Sequence, residues 1–140
     1  MHLRDTCDMR RAVLLLALVL AAATLAGPAA AAKPKTLHVV ITGQDHHPVV
    51  GKHWHYAVRV TGAGGKPVAC RIHLQFLFGA VVVGQVGVHT VKNGVWQETI
   101  GQGSSKPFPA SARGVALVLQ ATVTAKGYKT AKAGWPVTAK

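Results

Sequence analysis

Residues 68–78 read VACRIHLQFLF, and their apolar side chains fall on every second position: Val68, Cys70, Ile72, Leu74, Phe76 and Phe78, with Ala69, Arg71, His73 and Gln75 between them. Successive side chains of an extended chain point to opposite faces, so a period of two, in place of 3.6, describes a strand with one oily and one wet face. Two further segments carry the same signature. In Lys52 to Thr61 (KHWHYAVRVT), Trp54, Tyr56, Val58 and Val60 share one face and His53, His55, Arg59 and Thr61 the other. In Val115 to Ala125 (VALVLQATVTA), Val115, Leu117, Leu119, Ala121 and Val123 form an inward row opposed by Gln120, Thr122 and Thr124.

Weaker strands lie between these, divided by turns of definite chemistry. Gly79-Ala80 separates Phe78 from Val81-Val82-Val83, which suits a two-residue hairpin loop with glycine first. Asn93-Gly94 separates GVHTVK from VWQETI, and both residues tolerate the positive φ of a type I′ hairpin turn. Lys126-Gly127 precedes YKTAKAGWPV, where Pro136 marks an edge or terminal strand because it has no N–H to give to a ladder. With Thr36 to Thr42 (TLHVVIT) as an opening strand, the count is seven or eight and no segment has helical period. That pattern in about 100 residues predicts an all-β sandwich. The longest connection, Gly101 to Gly114 (GQGSSKPFPASARG), is the expected functional loop.

The sandwich is expected to follow a disposable leader. The chain opens MHLRDTCDMRR and runs into the apolar stretch Ala12 to Ala26, then GPAAAA; a positive head, a short apolar run and small-x-small sites form the secretory pattern. The expected organisation is therefore a signal peptide over residues 1–32 and one domain over 33–140, placed outside the cytoplasm, with no membrane span after cleavage. An uncleaved anchor would need about 20 apolar residues, more than this run provides. Of the two cysteines only Cys70 lies beyond the leader, so the domain has no internal disulfide and its apolar core must hold it together.

Charge is the strongest compositional signal. Of 16 basic residues, Arg4, Arg10 and Arg11 belong to the leader, and of four acids so do Asp5 and Asp8; 13 bases remain against Asp45 and Glu98. A field of that sign favours polyanions, and outside a cell the expected partners are anionic cell-envelope polymers or another protein. No run concentrates the charge as a nucleic-acid arm does, so specific nucleic-acid binding is not expected. Lys126, Lys129 and Lys132, around the last hairpin, are the expected polyanion contact.

The passage Tyr56 to Phe78 (YAVRVTGAGGKPVACRIHLQFLF) resembles the second-to-third strand passage of bacterial immunoglobulin-like domains of the invasin and intimin type. It presents an alternating strand, a glycine-rich turn, the step Gly65-Lys66-Pro67-Val68 and another alternating strand, in that order. The resemblance implies an immunoglobulin-like sandwich and an extracytoplasmic structural or adhesive module.

Seven histidines remain after the leader: His38, His46, His47, His53, His55, His73 and His89. His53 and His55 share one strand face about 6.5–7 Å apart at the backbone, and with His46 or His47 as a third ligand they form an alternative site for zinc or copper. His73 is expected on the opposite sheet and so faces away from them. No catalytic residues are expected. Asp45 and Glu98 are not readily paired for glycoside chemistry, and Ser104, Ser105 and Ser111 lack a GxSxG elbow. Alternation buries Cys70 away from the exposure a nucleophile requires. Among the tryptophans Trp54 reads as core and Trp96 is ambiguous, while Trp135, near the chain end, is the one expected carbohydrate platform.

Overall fold

A computed structural model describes residues 27–140, so the leader expected over residues 1–32 lies largely outside the described residues. The compact unit runs from Ala32 to Lys140. It contains seven strands: β1 (His38–Gly43), β2 (Trp54–Thr61), β3 (Cys70–Phe78), β4 (Val81–Val91), β5 (Val95–Ile100), β6 (Ala116–Thr124) and β7 (Ala131–Thr138). They form two antiparallel sheets, β1-β2-β5 and β4-β3-β6-β7. Among the described residues the only helical turns are short 3-10 segments at Ala63–Gly65 and Ala110–Ala112, and no helix is long and apolar enough to cross a membrane.

The alternating rows of the sequence become the facing surfaces of the two layers. From β2, Trp54, Tyr56, Val58 and Val60 are buried; from β3 and β6, Cys70, Ile72, Leu74, Leu119, Ala121 and Val123 oppose them. Each such aliphatic side chain contributes about 1.5–3 kcal/mol by leaving water. Among the described residues no charged side chain is buried, so the interior holds by apolar packing. Cys70 is free and buried within it, and desolvation pushes its thiol pKa above the ordinary value.

Three expectations need correction. First, Asn93-Gly94 does not close a hairpin: the strand before it pairs with β3 and the strand after it pairs with β2, so the turn carries the chain from one sheet to the other. Its glycine is still required. Gly94 has φ 70°, and a Cβ there would sit 2.4 Å from the Val60 carbonyl oxygen, which accepts the Val68 N–H. Second, Val81-Val82-Val83 and GVHTVK belong to a single strand, β4. Its register against β3 slips twice, between Leu74 and Gln75 and between Phe76 and Leu77, leaving Val86 and Val83 without partners opposite. Third, Phe78 ends the inward row of β3 but lies 55% exposed at the hairpin apex.

Pro136 does lie on an edge strand, since β7 closes the four-stranded sheet. β2 and β3 do lie in opposite sheets.

Candidate functional site

The imidazoles singled out in the sequence are held apart. His53 and His55 are exposed on either side of buried Trp54. His55 Nδ1 lies 3.2 Å from Thr99 Oγ1 on β5. The turn bearing His46 and His47 directs their rings to β7, with Nδ1 of His46 2.7 Å from the Pro136 carbonyl and Nδ1 of His47 3.3 Å from that of Thr138. A carbonyl oxygen only accepts, so each ring donates through Nδ1. Among the described residues no group of three or more His, Cys, Asp or Glu side chains is placed to hold a metal ion. The zinc or copper site expected from His53 and His55 with His46 or His47 is therefore not assembled.

Each tryptophan has a ring against one of its faces. Trp135, expected as a carbohydrate platform, stacks on His46 with ring centroids 4.3 Å apart and planes 10° from parallel. Its indole N–H and that of Trp54 both donate to the Asp45 carbonyl, at 3.3 and 3.2 Å. The two rings also crowd Gly43, where a Cβ would come within 2.6 Å of both. Trp96 stacks on His89 at 3.7 Å, and the pair leaves Trp96 Nε1 and His89 Nε2 buried without a partner.

The two carboxylates are engaged locally and separately. Asp45 Oδ1 accepts the His47 backbone N–H at 2.8 Å, whereas Glu98 Oε2 accepts the Tyr56 hydroxyl at 2.5 Å. Tyr56 is fully buried. Desolvation, and then its bond to Glu98 and that carboxylate's charge, raise the phenol pKa far above its ordinary value.

The lysines expected to meet polyanions cluster at one end of the sandwich. Lys126 lies in the β6–β7 turn, closed by the Tyr128 N–H on the Ala125 carbonyl at 3.1 Å. The chain entering β1 is laced to that turn: Lys35 N–H donates to the Gly127 carbonyl at 3.0 Å, and Lys129 N–H to the Lys35 carbonyl at 2.9 Å. Lys35, not among the expected contacts, therefore joins Lys126 and Lys129. Lys132 follows on β7, opposite Thr122.

The opposite end has another character. A cleft of about 830 Å³ opens between the β3–β4 hairpin and the Gly101–Gly114 connection. Phe108 is the anchor of that connection. It is buried, meets Trp54 edge-on at 5.9 Å and Phe76 at 5.4 Å, and its carbonyl accepts the Gly51 N–H at 3.0 Å. Ser104, Ser105, Ser111 and Lys106 also line the cleft, whose lining contains no histidine and no acid.

A search of solved structures finds a CARDB domain from Pyrococcus furiosus, crystallised with two metal ions, at 18% identity and a TM-score of 0.51; the match covers 77% of this chain and 90% of that one. The fold is immunoglobulin-like. A second match, the sporulation control protein Spo0M of Bacillus subtilis, has 14% identity and a TM-score of 0.46, covering 75% of this chain and 49% of that one. No family model matches the immunoglobulin-like chain, and no curated protein does. At 18% identity the likeness to the CARDB domain speaks for the architecture alone: seven strands in layers of three and four.

Proposed function

We propose that this chain is an exported, non-catalytic immunoglobulin-like module of the invasin and intimin kind, which works at the cell envelope by binding, its lysine-rich end meeting an anionic polymer. The observation that carries this reading is the gathering of Lys35, Lys126 and Lys129 around one turn, with Lys132 next along β7, while Asp45 and Glu98 are engaged elsewhere. Exposed ammonium groups on a turn attract a polymeric anion through the summed field and need no preformed pocket. The leader of residues 1–32 supports export.

The test is retention on heparin and on isolated anionic wall polymer at about 0.15 M salt, where charges about 8 Å apart begin to be screened from one another. A triple variant, Lys126→Ala with Lys129→Ala and Lys132→Ala, is expected to elute at clearly lower salt than Lys52→Ala with Lys106→Ala and Lys140→Ala, which has the same net charge. Equal elution of the two sets, or no retention of the parent protein, overturns the polymer contact. The secreted protein is expected to begin at Lys33; an N-terminus still reading Met1 overturns export by cleavage.

A further inference from the structure

The cleft at the end away from the lysine cluster is independent of the polymer reading, and its lining describes a different ligand. We propose that it binds a single acyl chain bearing an anionic head, with the chain lying among Phe76, Phe78, Val83, Val86 and Phe108 and the head beside Lys106.

The argument begins with β4. Each register slip against β3 sets one extra residue on the bulged strand, and a bulge re-aims the side chain it carries. The extra residues are Val83 and Val86, and both line the cleft. Aromatic rings of Phe76 and Phe108 meet within it at 5.4 Å, with planes 67° apart. The volume falls in the range of about 300–1,000 Å³ usual for small-molecule sites, which are mostly apolar with a few polar groups.

Exposure points the same way. Residues 78–83, FGAVVV, are all exposed and contain no polar side chain, and two of them, Phe78 and Val83, each 55% exposed, line the cleft. A contiguous apolar patch of this kind marks a place where something apolar docks. Polar groups choose among apolar ligands. The five side chains that would hold the chain, Phe76, Phe78, Val83, Val86 and Phe108, offer no hydrogen-bond partner, which suits an alkyl chain, whereas a peptide brings backbone N–H and C=O groups that each need one. The one charged residue in the lining is Lys106, so charge complementarity calls for an anionic head.

The probes are saturated fatty acids of 10, 12 and 14 carbons below their aggregation limits, and alkyltrimethylammonium ions of the same lengths, titrated calorimetrically into the full secreted protein. Saturable one-to-one binding of the carboxylates is expected, tightening by up to roughly fifteenfold for each two added carbons that are fully buried. Lys106→Glu is expected to weaken carboxylate binding roughly fivefold and to strengthen trimethylammonium binding. Phe78→Ser and Val83→Ser, at exposed sites where the fold survives, are each expected to weaken both series roughly tenfold; unchanged far-UV circular dichroism and melting temperature confirm that the loss is local.

Four outcomes overturn the proposal: no saturable uptake of any fatty acid; uptake indifferent to Lys106→Glu and chain length; a protein that binds only intact anionic vesicles, which assigns the apex to a bilayer; or a concentration-dependent dimer dissolved by Phe78→Ser without fatty-acid uptake, which assigns it to a second copy.

Discussion

The β3–β4 and β6–β7 hairpins belong to the same sheet, each turns through a glycine with positive φ, and they end at opposite poles of the molecule. Their apices have nothing else in common. One reads Phe78-Gly79-Ala80-Val81-Val82-Val83 and is apolar on every side; the other reads Ala125-Lys126-Gly127-Tyr128-Lys129 and carries charge. The strands beneath them are equivalent, since Leu119 of β6 is opposite Phe76 on one side and Trp135 on the other. Core packing therefore fixes the alternating rows and leaves each apex free to be composed for whatever it meets.

The heaviest test of that division removes the shared support. Leu119→Ala, at a fully buried position, is expected to cost about 2–5 kcal/mol in urea unfolding and to loosen both hairpins together. If hydrogen exchange shows only one of them loosened, they do not rest on a common core.

Turn glycines give the next effect. Gly79 and Gly127 have φ 58° and 81°, and open space where a Cβ would go. Replacing either with alanine is expected to cost about 1–2 kcal/mol from backbone strain alone. Gly94→Ala adds a clash with the Val60 carbonyl and should exceed both by about 1 kcal/mol or more. Equal losses at all three positions, measured by urea midpoints, would show that the sheet-to-sheet crossing is no tighter than the hairpins.

Tyr56 supplies a smaller, pH-dependent effect. Tyr56→Phe removes one hydrogen bond to Glu98 and is expected to cost about 1 kcal/mol at neutral pH. The folded-state phenol pKa is raised, so its stabilisation is complete below the unfolded-state value of about 10 and is lost as pH rises above it. The parent protein should lose up to about 1.4 kcal/mol per pH unit there relative to the phenylalanine variant. Parallel stability curves between pH 9 and 11 would contradict a buried, protonated Tyr56.

The smallest effect belongs to the apolar apex. Val82→Ser, at an exposed position, is expected to change stability by no more than about 0.5 kcal/mol. A loss approaching that of Leu119→Ala would mean that these valines serve the core, and the contrast between the two poles would collapse.

The strands legible in the sequence were those with one wet and one dry face. β2, β3 and β6 follow from alternation because each lies inside its sheet and faces the opposing layer. β4 was not legible as a single strand: its bulges place consecutive valines where alternation would forbid them, and its glycines at 84 and 87 hide the continuity. Asn93-Gly94 announces a turn, but turn chemistry sets φ and does not say which sheet receives the next strand.

The lysine end was legible from position along the last hairpin; Lys35 was not, because its partnership depends on a non-local bridge to Tyr128. Half of the cleft was legible, since the Gly101–Gly114 connection that forms one wall is the expected functional loop; the β3–β4 hairpin opposite it was not, because it too is brought there by non-local pairing. A further signal was Pro107-Phe108-Pro109, a lone aromatic in a polar connection that had to be anchored somewhere. The histidines misled because shared strand position measures spacing without showing where a flanking turn aims its rings.

The twin bulges of β4 also bear on solubility. β4 is an unpaired edge with a valine-rich sequence, the combination by which sheets recruit stray strands and grow into aggregates. A straight recruit would fall out of step at each dislocation and could zip up only a few residues before its hydrogen bonds missed their mates. Straightening this edge by deleting both Val83 and Val86 would make the domain a seed for fibres.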